Sequence, residues 1–162
     1  MPRWSTSVPS ADLSGRSYAV MTFSDACLPA ARRWLRELTG RPVWTWHGAR
    51  AGDDALAALR EQIAEASVGW RLLLAGPEPD VLTVRSEAVR AGVLDAEITV
   101  SVSASGRRRV WCAHCGHDTE ATADIGALID CAGCGRSLLV YHHVARRHAA
   151  YLGFQADAEE VP

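Results

Sequence analysis

The chain has 162 residues, a formal net charge of -2 and 48% hydrophobic residues, which suits one ordinary globular domain with room for a small satellite and gives no global pull towards nucleic acid or an anionic membrane. All 17 basic residues are arginine, so lysine chemistry, such as a Schiff base or a P-loop, is excluded. No apolar run reaches membrane-spanning length, Met1 to Ser14 lack the apolar core of a secretory signal, and four of the five cysteines fall in two close pairs; this usage fits a metal in a reducing compartment rather than disulfides, and the sequence reads as cytoplasmic.

Residues 1–16, with Pro, Ser, Gly, Arg and Trp4, read as a flexible arm. A strand-helix alternation then begins. Tyr18 to Phe23 is a short apolar strand. Ser24 or Asp25 caps a helix reaching about Leu38, with Leu28, Ala31, Leu35 and Leu38 on one face. Thr39-Gly40-Arg41-Pro42 breaks it. Val43 to His47 is a second strand that places Trp44 and Trp46 on one sheet face, for core packing, with Thr45 on the other. Asp53 or Asp54 caps a helix with the stripe Leu56, Leu59, Ile63 and Ala66. Trp70 to Ala75 is a third strand, and Gly76-Pro77-Glu78-Pro79-Asp80 turns and caps a third helix carrying Val81, Val84, Ala88 and Val89, closed by Gly92. Glu97 to Val102 is a fourth strand. Alternation of this kind predicts a small three-layer α/β domain with a parallel sheet.

Beyond a linker at Ser103 to Gly106 come Arg107-Arg108-Arg109, a partner contact or solvated hinge rather than a phosphate grip, and then Cys112-Ala-His-Cys115, answered across 15 intervening residues by Cys131-Ala-Gly-Cys134. Paired Cys-x-x-Cys at this spacing predicts a four-thiolate ribbon, with Gly116 and Gly135 placed where each knuckle must turn sharply. Four soft sulfurs favour one zinc ion, with iron the alternative. A closed four-sulfur shell leaves no open coordination position, so the metal is structural and no residue is assigned as catalytic. His114 and His117 read as exposed or supporting side chains rather than ligands. Ser137 to Tyr141 reads as a strand and His142 to Leu152 as a helix, with Val144, His148 and Leu152 on one face and Gly153 at its end. His142, His143 and His148 with Arg146 and Arg147 form a basic surface that suits a protein contact. An acidic tail follows from Asp157. Cys27, in the first turn of a helix, reads as a packing cysteine rather than a reactive one. The predicted organisation is thus an arm (1–16), an α/β domain (17–104), and a four-cysteine zinc ribbon with a C-terminal helix and acidic tail (105–162). No Gly-x-Gly-x-x-Gly, Gly-x-Ser-x-Gly or His-Glu-x-x-His occurs.

The run Val110-Trp111-Cys112-x-His114-Cys115, the segment Cys131-x-Gly133-Cys134-Gly135-Arg136-x-Leu138-x-Val140, then His143-x-x-Arg146-Arg147 and Ala150-Tyr151-Leu152-Gly153-Phe154, resemble the C-terminal half of the DmmA-like family of dimethylamine monooxygenase subunits. The resemblance covers residues 107–160. Upstream, the layout is similar to that family's N-terminal half and looks like a reduced version of the pyridine-nucleotide domain of ferredoxin-type reductases, where a strand ends in a Gly-Pro turn, here Gly76-Pro77. It departs from that domain after the first strand, where Ser24-Asp25-Ala26-Cys27 replaces a glycine-rich turn, and cofactor-binding residues are not assigned.

The resemblance implies an accessory, non-catalytic subunit of an NAD(P)H-dependent monooxygenase that converts dimethylamine and O2 to methylamine and formaldehyde. Haem, FMN and a 2Fe-2S centre would reside on partners, a haem oxygenase chain and a flavin/iron–sulfur reductase, and NAD(P)H would act in the complex rather than on this chain. His143, Arg146, Arg147, Tyr151 and Phe154 would face those partners. Two other functions fit a four-cysteine ribbon, a rubredoxin-type electron carrier with iron in place of zinc and a nucleic-acid-binding ribbon; the charge balance disfavours the latter.

Overall fold

A computed structural model describes residues 7–103, 106–145 and 148–156. It consists of two compact units, divided between Ala104 and Ser105.

In the first unit, β1 (Ser17–Phe23), β2 (Val43–Gly48), β3 (Trp70–Pro77) and β4 (Ile98–Ser103) form a wholly parallel sheet in the order β2-β1-β3-β4. The two central strands are apolar at both odd and even positions, as a strand covered on both faces must be. α1 (Leu28–Glu37) covers one face: its Ala30, Ala31 and Trp34, with Leu38 just beyond, pack on Tyr18, Val20, Leu73 and Ala75. α2 (Asp53–Ala64) and α3 (Glu78–Arg90) cover the other, where Ala55, Leu59, Val81, Val84 and Ala88 meet Ala19, Met21, Phe23, Leu72 and Leu74. The expected three-layer α/β architecture is what forms, with Trp44 and Trp46 packed against the second of these cores. α3 ends as the sequence suggests: Gly92 has φ +99°, and the Val93 N–H donates to the Ala88 carbonyl at 3.0 Å, closing the last turn.

Two details differ from the sequence reading. The buried stripe of α1 runs through Ala30, Ala31 and Trp34, and Leu35 is exposed; Trp34 fills far more apolar volume than Leu35, so the helix rotates to bury it. Residues 7–16, expected as part of a loose arm, are fastened to this unit. Trp34 Nε1 donates to the Pro9 carbonyl at 2.8 Å, Arg33 to the Val8 carbonyl at 2.8 Å, and Ala11 N–H to Glu37 at 2.7 Å. Arg71, largely buried, holds Asp12 at 2.8 Å and Glu97 at 3.2 Å. Composition shows the Pro, Ser and Gly of this segment but not the helix and strand side chains that reach out to it.

In the second unit, β5 (Arg107–Cys112), β6 (Asp118–Thr122), β7 (Leu128–Asp130), β8 (Ser137–Ala145) and β9 (Ala150–Gln155) form a sheet in the order β6-β5-β9-β8-β7. β5 and β6 make one antiparallel hairpin, β7 and β8 another, and β9 lies between them, antiparallel to β8 and parallel to β5. The predicted C-terminal helix does not form. Residues 137–145 continue as one long strand with an irregularity between Val140 and Val144, and 150–155 are a second strand. The physical reason is the core: without β9, Val110 and Val140 would lose the neighbour that buries them, and Tyr141 and Val144 favour extended backbone. Gly153 is not a helix stop. A Cβ there would lie 2.6 Å from Val110 Cγ1, so glycine lets β9 approach β5.

Candidate metal centre

Each cysteine pair lies in the turn of its hairpin, and the two turns share one hydrogen-bond frame. In the first, the Cys112 carbonyl accepts from Gly116 N–H at 2.9 Å and Cys112 N–H donates to the His117 carbonyl at 2.9 Å. In the second, the Cys131 carbonyl accepts from Gly135 N–H at 2.8 Å and Cys131 N–H donates to the Arg136 carbonyl at 2.9 Å. Gly116 and Gly135 have φ of +73° and +70°, a conformation that costs a residue with a Cβ. The backbone therefore presents two sulfurs from each turn before any ion is considered.

The four sulfurs of Cys112, Cys115, Cys131 and Cys134 lie within 4.8 Å of one another, a set that could hold a metal ion. Cys112 and Cys134 are 3.9 Å apart and Cys115 and Cys131 3.6 Å apart. An ion bound tetrahedrally to sulfurs at about 2.3 Å sets them about 3.8 Å from each other, so the donor set fits a tetrahedral thiolate metal. Cys112 and Cys131 are buried in the core formed by Val110, Leu138, Val140 and Tyr151, whereas Cys115 lies at the surface.

The electrostatics make the same point. Burial works to raise Cys131, but backbone N–H groups of Cys134 and Gly133, with the thiols of Cys115 and Cys134, stabilise its thiolate and bring it down to about 6. For Cys115 the backbone N–H of His117 works downward, but desolvation of its sulfur and the other three cysteines push it up to about 12. One sulfur ionises readily and its charge holds a neighbour protonated. A divalent cation removes that conflict and lets all four carry charge.

Two residues that spacing alone does not mark complete the centre. Buried Thr119 accepts the Ala132 N–H on its Oγ1 at 3.0 Å, fastening the second turn to β6. Gly133 lies against the first turn, where a Cβ would come within 2.6 Å of His117 Cβ and 3.3 Å of Cys115 Sγ. His114 and His117 are exposed and stand outside the four-sulfur set. Cys27 is buried in the core of the first unit and belongs to packing.

The residues expected to face partners divide. Tyr151, 3% exposed, is in the core beneath the metal set, with Arg108 over its ring at 5.3 Å; it has no surface to offer, because in β9 it shares the inward parity with Gly153. Phe154 has the opposite parity. Its ring meets Tyr141 at 5.3 Å and its register partner is Leu139. His143 is exposed on β8, with Tyr141 5.1 Å away. His148 stacks on Trp111 at 4.4 Å, in a turn rather than on a helix. Arg146 and Arg147 lie outside the described residues.

The sheet therefore has a second apolar face. Trp111 pairs with Leu152, Leu139 with Phe154, and Leu128 with Leu139, giving a band across β5, β9, β8 and β7 opposite the metal core. A sheet wetted on one face normally alternates apolar and polar residues. The uninterrupted Leu138-Leu139-Val140-Tyr141 is the sequence signal that this one does not.

A parallel α/β unit followed by a β-sheet unit with four clustered cysteines is thus the class of protein that fold and site define. Residues 109–154 match the family described as dimethylamine monooxygenase subunit DmmA-like, C-terminal domain. It is also 38% identical over 107 residues to the heme-dependent oxidative N-demethylase delta subunit of Ectopseudomonas mendocina (strain ymp), an alignment that covers 66% of this chain and 60% of the relative. The chain therefore spans less than two thirds of that relative's length. No solved structure matches.

Proposed function

We propose that this chain is an accessory subunit of a multicomponent oxidative N-demethylase, built around one structural zinc ion held by Cys112, Cys115, Cys131 and Cys134. The observation that carries the reading is its 38% identity to a chain named as the delta subunit of such an enzyme, in agreement with the family match over the ribbon. Zinc bound by four thiolates supplies folding energy and no open coordination position, so the chain scaffolds rather than catalyses. Haem and flavin/iron–sulfur chemistry, NAD(P)H oxidation and the turnover of dimethylamine fall to partner subunits, a haem oxygenase chain and a reductase chain.

The docking surface in this reading is the outer face of the ribbon sheet, with Trp111, Leu139, Leu152 and Phe154, extended by His143; Arg146 and Arg147 are further partner contacts in the same reading. The α/β unit, with residues 7–16 fastened to it, and the ribbon unit act as its two domains. No helix among the described residues is long and apolar enough to cross a membrane, and we place the complex in the cytoplasm. Co-expression with neighbouring oxidase and reductase chains, affinity capture through this chain and metal analysis of the eluate test the proposal: stoichiometric partners and about one zinc per chain are expected, and a chain eluting alone from a competent co-expression would reject it.

A further inference from the structure

In an open parallel sheet, ligands bind beyond the carboxyl ends of the strands where the strand order reverses, and a dinucleotide's pyrophosphate takes free N–H groups at a helix start. Here that point lies between β1 and β3, so the amides and charges around it can be tested against a pyridine nucleotide.

More than half of the donors there are already spent or missing. Ser24 N–H donates to the Gly48 carbonyl at 2.9 Å and Cys27 N–H to the Ser24 carbonyl at 3.1 Å. Leu28 N–H donates to the Asp25 carbonyl, and Pro29, in the first turn of α1, has no N–H. Across residues 24–30 this leaves at most the amides of Asp25, Ala26 and Ala30 for a phosphate, and Asp25 brings its own carboxylate to the same turn. His47 holds that carboxylate there, with Nε2 3.1 Å from Asp25 Oδ1 and Nδ1 3.0 Å from Thr22 Oγ1.

The charges oppose an anion as well. The other two helices starting at this edge also begin with acids: Asp53 and Asp54 in α2, and Glu78 and Asp80, both buried, in α3. Their carboxylates already complement the helix dipoles that would otherwise attract phosphate. Asp80 further accepts the Ala51 N–H at 2.9 Å, drawing the β2–α2 connection onto α3. The basic residue of that connection, Arg50, is engaged within the chain. Gly76, at the end of β3, faces Phe23 instead of open space: a Cβ there would be 2.9 Å from Phe23 Cβ.

We infer that the first unit keeps the sheet of a nucleotide domain but is closed to the pyrophosphate of NAD(P)H, its crevice occupied by its own hydrogen bonds and carboxylates. Combined with the accessory role proposed above, on which this second step rests, the nicotinamide is handled on another chain. The test uses the full-length, metal-loaded chain alone, so its outcome is independent of complex membership. Hydrogen exchange of residues 22–29 and 76–82 is followed with NADPH, NADH and ADP-ribose, each at about 1 mM, the weakest affinity worth calling a site. Unchanged exchange in both segments is expected. A slowing beyond about twofold in either segment, with any of the three ligands, overturns the inference.

Discussion

Gly133 and His117 approach each other so closely that a single methyl group on the glycine would lie 2.6 Å from the histidine Cβ. The contact joins the two cysteine turns, and it makes a residue inside the second knuckle depend on one just beyond the first. Gly133→Ala must push the turns apart while leaving all four cysteines in place. Overpacking of this kind costs about 1–3 kcal/mol, so metal affinity should fall by roughly fivefold to a hundredfold. Competition with a chromophoric chelator measures it, and unchanged affinity would show that the turns yield without cost.

Metal removal should separate the two units. A structural zinc site contributes on the order of 10 kcal/mol to a small domain, whereas the first unit has two apolar cores of its own. A strong chelator, or Cys131→Ser, should abolish the transition of residues 106–156 in calorimetry and leave one transition from the α/β unit. The loaded protein should be colourless; a red protein bleached by reductant would assign iron instead.

Acid should weaken the first unit through Asp12. The hydrogen bond from Arg71 lowers its carboxyl from 3.8 to about 2, helped by Ser14. A carboxylate with a depressed folded-state pKa stabilises the fold fully above its ordinary value and loses that contribution as pH falls through the folded one. Asp12→Asn should therefore lower the thermal midpoint of this unit at pH 6, and the gap to the wild type should close between pH 4 and 2. A gap that persists at pH 2 would mean that the ion pair is not its source.

The two aromatic residues of β9 should behave in opposite ways. Tyr151→Ala empties the core beneath the metal set and should cost about 3 kcal/mol or more, releasing metal. Phe154→Glu adds charge to the outer face, so the chain should fold and keep its metal but fail to capture its partners at any concentration at which the wild type succeeds. Partner capture that survives Phe154→Glu and Leu139→Glu together would move the docking surface elsewhere.

The alternation of β1 to β4 with α1 to α3 was legible because apolar strands and capped helices carry strong local signals, and Cys112, Cys115, Cys131 and Cys134 were legible because spacing encodes a turn. What the sequence hid was non-local. Whether residues 142–152 coil or extend depends on Val110 needing a neighbour, Tyr151, 41 residues away in sequence. Trp34 outcompetes Leu35 because the larger ring packs into the core with Tyr18 and Leu73, which lie far from it in sequence. Residues 7–16 look free until Arg33, Trp34 and Arg71 reach them. Thr119 and Gly133 act only once the hairpins are side by side.

The matched hydrogen-bond frames around Cys112 and Cys131 have a kinetic meaning. Each hairpin is a two-pronged clip closed by its own backbone hydrogen bonds, so an ion need not assemble its cage one sulfur at a time. Capture can proceed in two strokes, one clip and then its twin, and escape must reverse them, with the surface-facing Cys115 side the natural first hinge to open. For an ion held by both clips, residence time would follow how firmly β9 zips the two hairpins together.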